Sequence, residues 1–119
     1  MDINELQHVL NRIHPYYSKN IGCGAGWFQI IFDCDRELAA IDPDYRVLQI
    51  KQKFGSLRYY FEHSDIANLD AMRDVVAEYE RKSLRVCELT GRDGVLMAKN
   101  GRIRTLNVSL GDSDGYLLF

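Results

Sequence analysis

Arg46-Val47-Leu48-Gln49-Ile50-Lys51-Gln52-Lys53-Phe54-Gly55-Ser56-Leu57-Arg58-Tyr59-Tyr60-Phe61-Glu62 is the stretch whose reading decides the fold class. Leu48, Ile50 and Phe54 alternate with Gln49, Lys51 and Lys53, and Leu57, Tyr59 and Phe61 alternate with Arg58, Tyr60 and Glu62. A period of two sends alternate side chains to opposite faces of a pleated strand, so each half reads as a strand with one apolar face. Gly55-Ser56 supplies the turn, glycine giving the backbone freedom it needs. An antiparallel hairpin over 46–62 is expected, with its polar face toward solvent.

Helices flank it. Upstream, Trp27, Ile30, Ile31, Cys34, Leu38 and Ile41 recur at helical spacing, and Asp33, Asp35, Arg36 and Glu37 occupy the opposite face. Asp42-Pro43-Asp44 breaks this helix. An earlier helix begins at an Asp2/Glu5 capping box, carries Ile3, Leu6, Val9, Leu10 and Ile13 as its stripe, and stops at Pro15. Between the two lies Gly22-Cys23-Gly24-Ala25-Gly26. Downstream, Ser64 or Asp65 caps a third helix that runs to Leu84, with Ile66, Leu69, Met72, Val75, Val76 and Tyr79 facing inward. The last third reads as short strands: Val95 to Met97, a type I′ turn at Asn100-Gly101, and Ile103 to Val108. Gly111 to Gly115 reads as loop, and the apolar tail Tyr116-Leu117-Leu118-Phe119 is expected to dock on the body. The whole is an α+β chain, one domain over 1–119, with three helices on a small antiparallel sheet made of the two hairpins.

Composition narrows the class further. The chain has 119 residues, 46% hydrophobic and 27% charged, which suits one folded core rather than disorder. Its net charge of −2 argues against a dedicated nucleic-acid binder, which carries a basic excess. Asp2 and Glu5 stand where a secretory signal would place Lys or Arg, and no run approaches the roughly 20 apolar residues of a membrane span. Cys23, Cys34 and Cys87 are odd in number and widely spaced, so a cytoplasmic location without disulfides is expected.

The segment Lys51-Gln52-Lys53-Phe54-Gly55-Ser56-Leu57-Arg58-Tyr59-Tyr60 resembles the Lys-x-Lys-Phe-Gly-x-Leu-Arg-aromatic-Tyr hairpin of small, uncharacterised bacterial and prophage proteins. Gly26-Trp27 before it, and Ser83 and Cys87-Glu88 after it, fit in order. In that family the C-terminal part resembles a zinc ribbon, and a closed zinc site needs four N or S ligands. The resemblance sets the ligand positions at Cys87, Thr90 and near Asn107 and Leu110, so only Cys87 is a ligand type. A ribbon-shaped hairpin held by packing, without metal, is expected.

Other chemistry is incomplete. Cys23 and His14 would make a thiolate–imidazole pair only if the fold brought them together. The glycine run lacks the preceding strand and the Gly-Lys-Ser/Thr ending of a phosphate loop. Asp112-x-Asp114-Gly115 lacks the remaining ligands of a calcium loop. His8, His14 and His63 share no ligand spacing. No catalytic residue and no cofactor are expected.

Two binding readings remain. The hairpin gathers Lys51, Lys53, Arg58 and Tyr60, the elements of a phosphate- and base-contacting face, which fits a prophage-derived nucleic-acid-binding or regulatory domain that lost its zinc. The reading placed first is a protein-binding inhibitor: an immunity protein covering the active site of a bacterial contact-dependent or polymorphic toxin, a nuclease. Asp33, Asp35, Glu37, Asp42 and Asp44 would face the basic partner, with Tyr16, Tyr17 and Tyr45 as aromatic anchors.

Overall fold

The computed structural model describes residues 1–119 and bears out the α+β class. Asp2 makes the capping box with Glu5 and opens a 3₁₀ turn, Ile3–Leu6, that runs into α1 (Gln7–Asn11). A second 3₁₀ turn, Ala25–Trp27, leads into α2 (Phe28–Ile41). β1 (Arg46–Lys53) and β2 (Ser56–Glu62) form the central hairpin. Asp65 caps the turn Ile66–Asn68 by accepting from the Ala67 N–H, and α3 (Leu69–Ser83) follows.

The C-terminal part holds β3 (Val95–Lys99), β4 (Arg102–Leu106), α4 (Val108–Ser113) and β5 (Leu117–Leu118). The two hairpins do not join into one sheet. β1-β2 stands alone, and β4-β3-β5 makes a separate antiparallel sheet. Two cores result. Trp27, Ile31, Leu38, Tyr45, Val47, Ile50, Leu57, Tyr59, Met72 and their neighbours form the large one, and Cys87, Met97, Leu106 and Tyr116 the small one.

The central turn sits one residue earlier than expected. Phe54 (φ 54°) and Gly55 (φ 83°) occupy its two positive-φ positions, so Phe54 leaves the apolar face and is exposed. A bulge at Leu48 puts Val47 rather than Leu48 in the core with Ile50. Both edges of this two-stranded sheet are covered. Backbone bonds from Arg12, His14 and Gly22 flank β1 at Val47, Ile50 and Gln52. Along β2, the Leu57 N–H donates to Ser83 Oγ (2.9 Å) and the Tyr59 N–H to Glu80 Oε2 (3.0 Å). Ser83 and Glu80 thus pin α3 to the hairpin and close an edge that would otherwise invite pairing.

Three local expectations change. Ile3 and Ile66 are exposed rather than part of their stripes, because each lies in a 3₁₀ turn out of phase with its helix. Val108 begins a helix instead of ending a strand, since the Asn107 side chain accepts from the Leu110 N–H and caps α4. Of the tail, only Tyr116 is buried. Leu117 and Leu118 pair with β3 but, with Phe119, stay exposed.

The two lobes meet at the glycine run and the hairpin tip. The Gly24 N–H donates to Glu88 Oε2 (2.9 Å), the Gly26 N–H to the Glu88 carbonyl (2.8 Å), and the Thr105 hydroxyl to the Gly55 carbonyl (2.6 Å). A Cβ on Gly26 would run into the carbonyl oxygens of Cys87 and Glu88. Close approach of two backbones is therefore what this glycine serves. No helix is long and apolar enough to cross a membrane.

Candidate functional site

The eight residues expected to face a partner do not form one surface. Asp35, on α2, is 2% exposed. Its Oδ1 lies 2.9 Å from Arg12 Nε as an ion pair whose angle departs from a hydrogen bond, and its Oδ2 lies 3.3 Å from His8 Nε2. It also accepts from the Tyr45 hydroxyl, which lies 2.7 Å from the Tyr59 hydroxyl. Burial raises the pKa of both tyrosines, and the neighbouring Asp35 charge raises them further. Tyr45 is 1% exposed, with the Arg12 guanidinium 5.1 Å from its ring centre. Asp35 and Tyr45 are therefore internal. A buried carboxylate is tolerated here because the Arg12 guanidinium, the His8 ring and the Tyr45 hydroxyl surround it.

Asp42 is internal too, though it lies just beneath the surface. It accepts from the Ser64 N–H (2.9 Å), the Ser64 hydroxyl and the Asp65 N–H (3.3 Å), and so ties the end of α2 to the start of the α3 segment. Burial would raise its pKa, but hydrogen bonds from Ser64, Asn68 and Asp65 outweigh that and hold it at about 2. A carboxyl with a lowered folded pKa contributes its stability above the unfolded value, near 4, and loses it as pH falls toward 2. Wild type is thus expected to lose on the order of 1–2 kcal/mol through this group between about pH 4 and pH 2. Asp42→Asn should flatten that part of a stability–pH profile measured by urea unfolding. An unchanged profile would remove Asp42 as its source.

The remaining acids divide between two sides of α2. Asp33 accepts from the Gln29 side chain and lies 3.5 Å from Arg36, while Glu37 accepts from the Tyr79 hydroxyl on α3. Asp44 is on the other side, lining a shallow depression with Asn11, Pro15, Lys19 and Arg46. Tyr16 and Tyr17 project from the loop after α1, at 92% and 48% exposure.

That loop is held from within. The Tyr16 N–H donates to His14 Nδ1 (3.2 Å), the Tyr17 N–H to the His14 carbonyl (2.9 Å), and the His14 N–H to the Val47 carbonyl (2.8 Å). The His14 ring stacks on Tyr16 at 5.5 Å and meets Tyr17 edge-on at 5.9 Å. Anchoring of His14 to β1, which holds the two tyrosines in place, has no signature in the local sequence.

The ribbon positions do converge. Thr90, Asn107 and Leu110 line one depression, and Leu110 packs on the small core that contains Cys87. Burial would raise the Cys87 pKa, but the Thr90 hydroxyl and the N–H groups of Asn107, Thr90 and Leu89 are directed at its sulfur and bring it below the ordinary thiol value. The residues present do not fit zinc. Thr90 offers a hydroxyl that accepts from the Arg92 N–H, Asn107 caps α4 and Leu110 fills the space by packing, so the donor set stops at one thiol.

Cys23 lies against the same junction, where burial and then the Glu88 charge push its pKa up to about 12. It is held as a neutral thiol, the reverse of what a nucleophile requires. Compared against protein-family models, curated proteins and solved structures, the chain matches none of them.

Proposed function

We propose that this chain is a protein-binding inhibitor, most concretely an immunity protein that acts in the cytoplasm by covering a bacterial toxin. One observation carries the reading: Tyr16 and Tyr17 stand out from the body on a loop that His14 fixes in place. Rigid aromatic side chains make strong anchors because little conformational freedom is lost when they dock. Asp44, exposed beside Pro15 and Lys19, adds a carboxylate for a basic partner. A nuclease toxin fits best, since its phosphate-binding cleft is basic and is closed by a docked acid. Asp35, Asp42 and Tyr45 support the framework beneath this surface and take no part in contact.

The test is co-expression with the protein encoded immediately upstream of this chain, which the proposal expects to carry a toxin domain. Wild type is expected to restore growth and to bind the purified toxin domain. Tyr16→Ala and Tyr17→Ala should each weaken binding by about 2 kcal/mol, roughly thirtyfold, with thermal stability unchanged at these exposed positions. Protection by the double variant equal to that of wild type would sink the proposal.

A further inference from the structure

The register of the central hairpin gathers its cations on one face. Lys51 pairs with Arg58, Lys53 with Ser56 and Gln49 with Tyr60, so these side chains share the face turned away from Ile50, Leu57 and Tyr59. Lys53 and Tyr60 are exposed, and Lys51 and Arg58 are half-buried. None of the three cations has a carboxylate within ion-pair distance, since the five ion pairs all lie elsewhere. Arg58 Nε is a buried donor with no acceptor in the protein. At the tip Phe54 is 68% exposed, with Lys53 Nζ 5.6 Å from its ring centre. Glu62, the one carboxylate on this face, stands at the far end opposite Arg46.

We propose that this outer hairpin face binds single-stranded nucleic acid. Unneutralised cations flanked by two open rings complement a phosphate backbone whose bases are free to stack. The rings favour a single strand over a duplex, because paired bases keep their flat faces inside the stack. Net charge opposes this weakly, since acids beyond a Debye length, about 8 Å at physiological salt, are screened from the face. Tyr16, Tyr17 and Asp44 lie outside the two strands of the hairpin, so variants of each set test the two readings independently.

The test is fluorescence anisotropy of the full chain with labelled oligo-dT and oligo-U of about a dozen nucleotides. Three phosphate contacts predict a log–log salt slope of about −2, or roughly twentyfold weaker binding between about 50 and 200 mM salt. Lys53→Glu, at an exposed side chain outside the core, should weaken binding several-fold, and Lys53→Glu with Arg58→Glu by tenfold or more. Tyr60→Ala and Phe54→Ala should each cost about tenfold. Lys82→Glu, at a cation already paired with Glu78, and the Tyr16→Ala/Tyr17→Ala double variant should leave binding unchanged. Absence of binding at low salt, equal affinity for a duplex of the same length, or indifference to Lys53→Glu and Tyr60→Ala would each overturn the proposal.

Discussion

Replacing Thr90, Asn107 and Leu110 together by cysteine is expected to turn the C-terminal lobe into a zinc site. Thr90, Asn107 and Leu110 line one depression, and Leu110 packs on the small core that holds Cys87. Four thiolates at about 2.3 Å would close a tetrahedron. Without metal the variant should be less stable than wild type, because it loses the Asn107 cap on α4, worth about 1 kcal/mol, and the packing of Leu110.

Loading with zinc should more than recover that loss. Structural zinc sites bind with apparent energies of about 10–16 kcal/mol, which corresponds to dissociation constants from tens of nanomolar down to a few picomolar. The expected result is one zinc per chain by elemental analysis. Cobalt substitution should give the absorption of a tetrahedral thiolate site, and melting should shift upward on metal addition. Micromolar or weaker binding would mean that the four positions do not close around a common centre.

Asp35→Ala should be the most damaging single substitution. It strips the Arg12 guanidinium of its counter-charge and the Tyr45 hydroxyl of its acceptor in a site where Asp35, Tyr45 and Tyr59 are almost wholly covered. Breaking a buried ion pair from one side costs about 3–5 kcal/mol, and the 27% exposure of the Arg12 side chain, which lets water reach the charge left behind, puts this variant at the low end, about 3 kcal/mol. Against a total of about 5–15 kcal/mol for a domain, that is a large share. Urea unfolding should show a much lower midpoint with the slope preserved.

Asp35→Asn keeps an acceptor without the charge and should fall between alanine and wild type. Asp35→Leu combined with Arg12→Met removes both charges and should recover much of the loss, since a buried ion pair often has a near-neutral apolar replacement. A loss below about 1 kcal/mol for Asp35→Ala would show that the pair is dispensable.

The same residue marks the boundary of what could be read from the chain. Strand alternation, helical stripes and the Asp2/Glu5 box are consequences of local backbone geometry, and 46–62, 28–41 and 69–83 fold as their patterns require. The shared face of Lys51, Lys53, Arg58 and Tyr60 follows from that alternation alone, whereas the register, set by the Phe54-Gly55 turn and the bulge at Leu48, does not. The short helix at Val108–Ser113 was not, because its apolar pattern is too brief and its cap at Asn107 too easily read as a turn.

Long-range contacts decided the rest. A carboxylate is exposed by default, and Asp35 and Asp42 depart from that only because Arg12 on one side and Ser64 on the other bring compensating groups to them. The glycine run acquires its reason at Glu88, and Tyr16 and Tyr17 their rigidity through His14 on β1. Spacing along the chain determined which residues face the same way. Which charges are free to meet a partner was decided only when distant segments packed, since burial of a charge depends on partners that local sequence does not name.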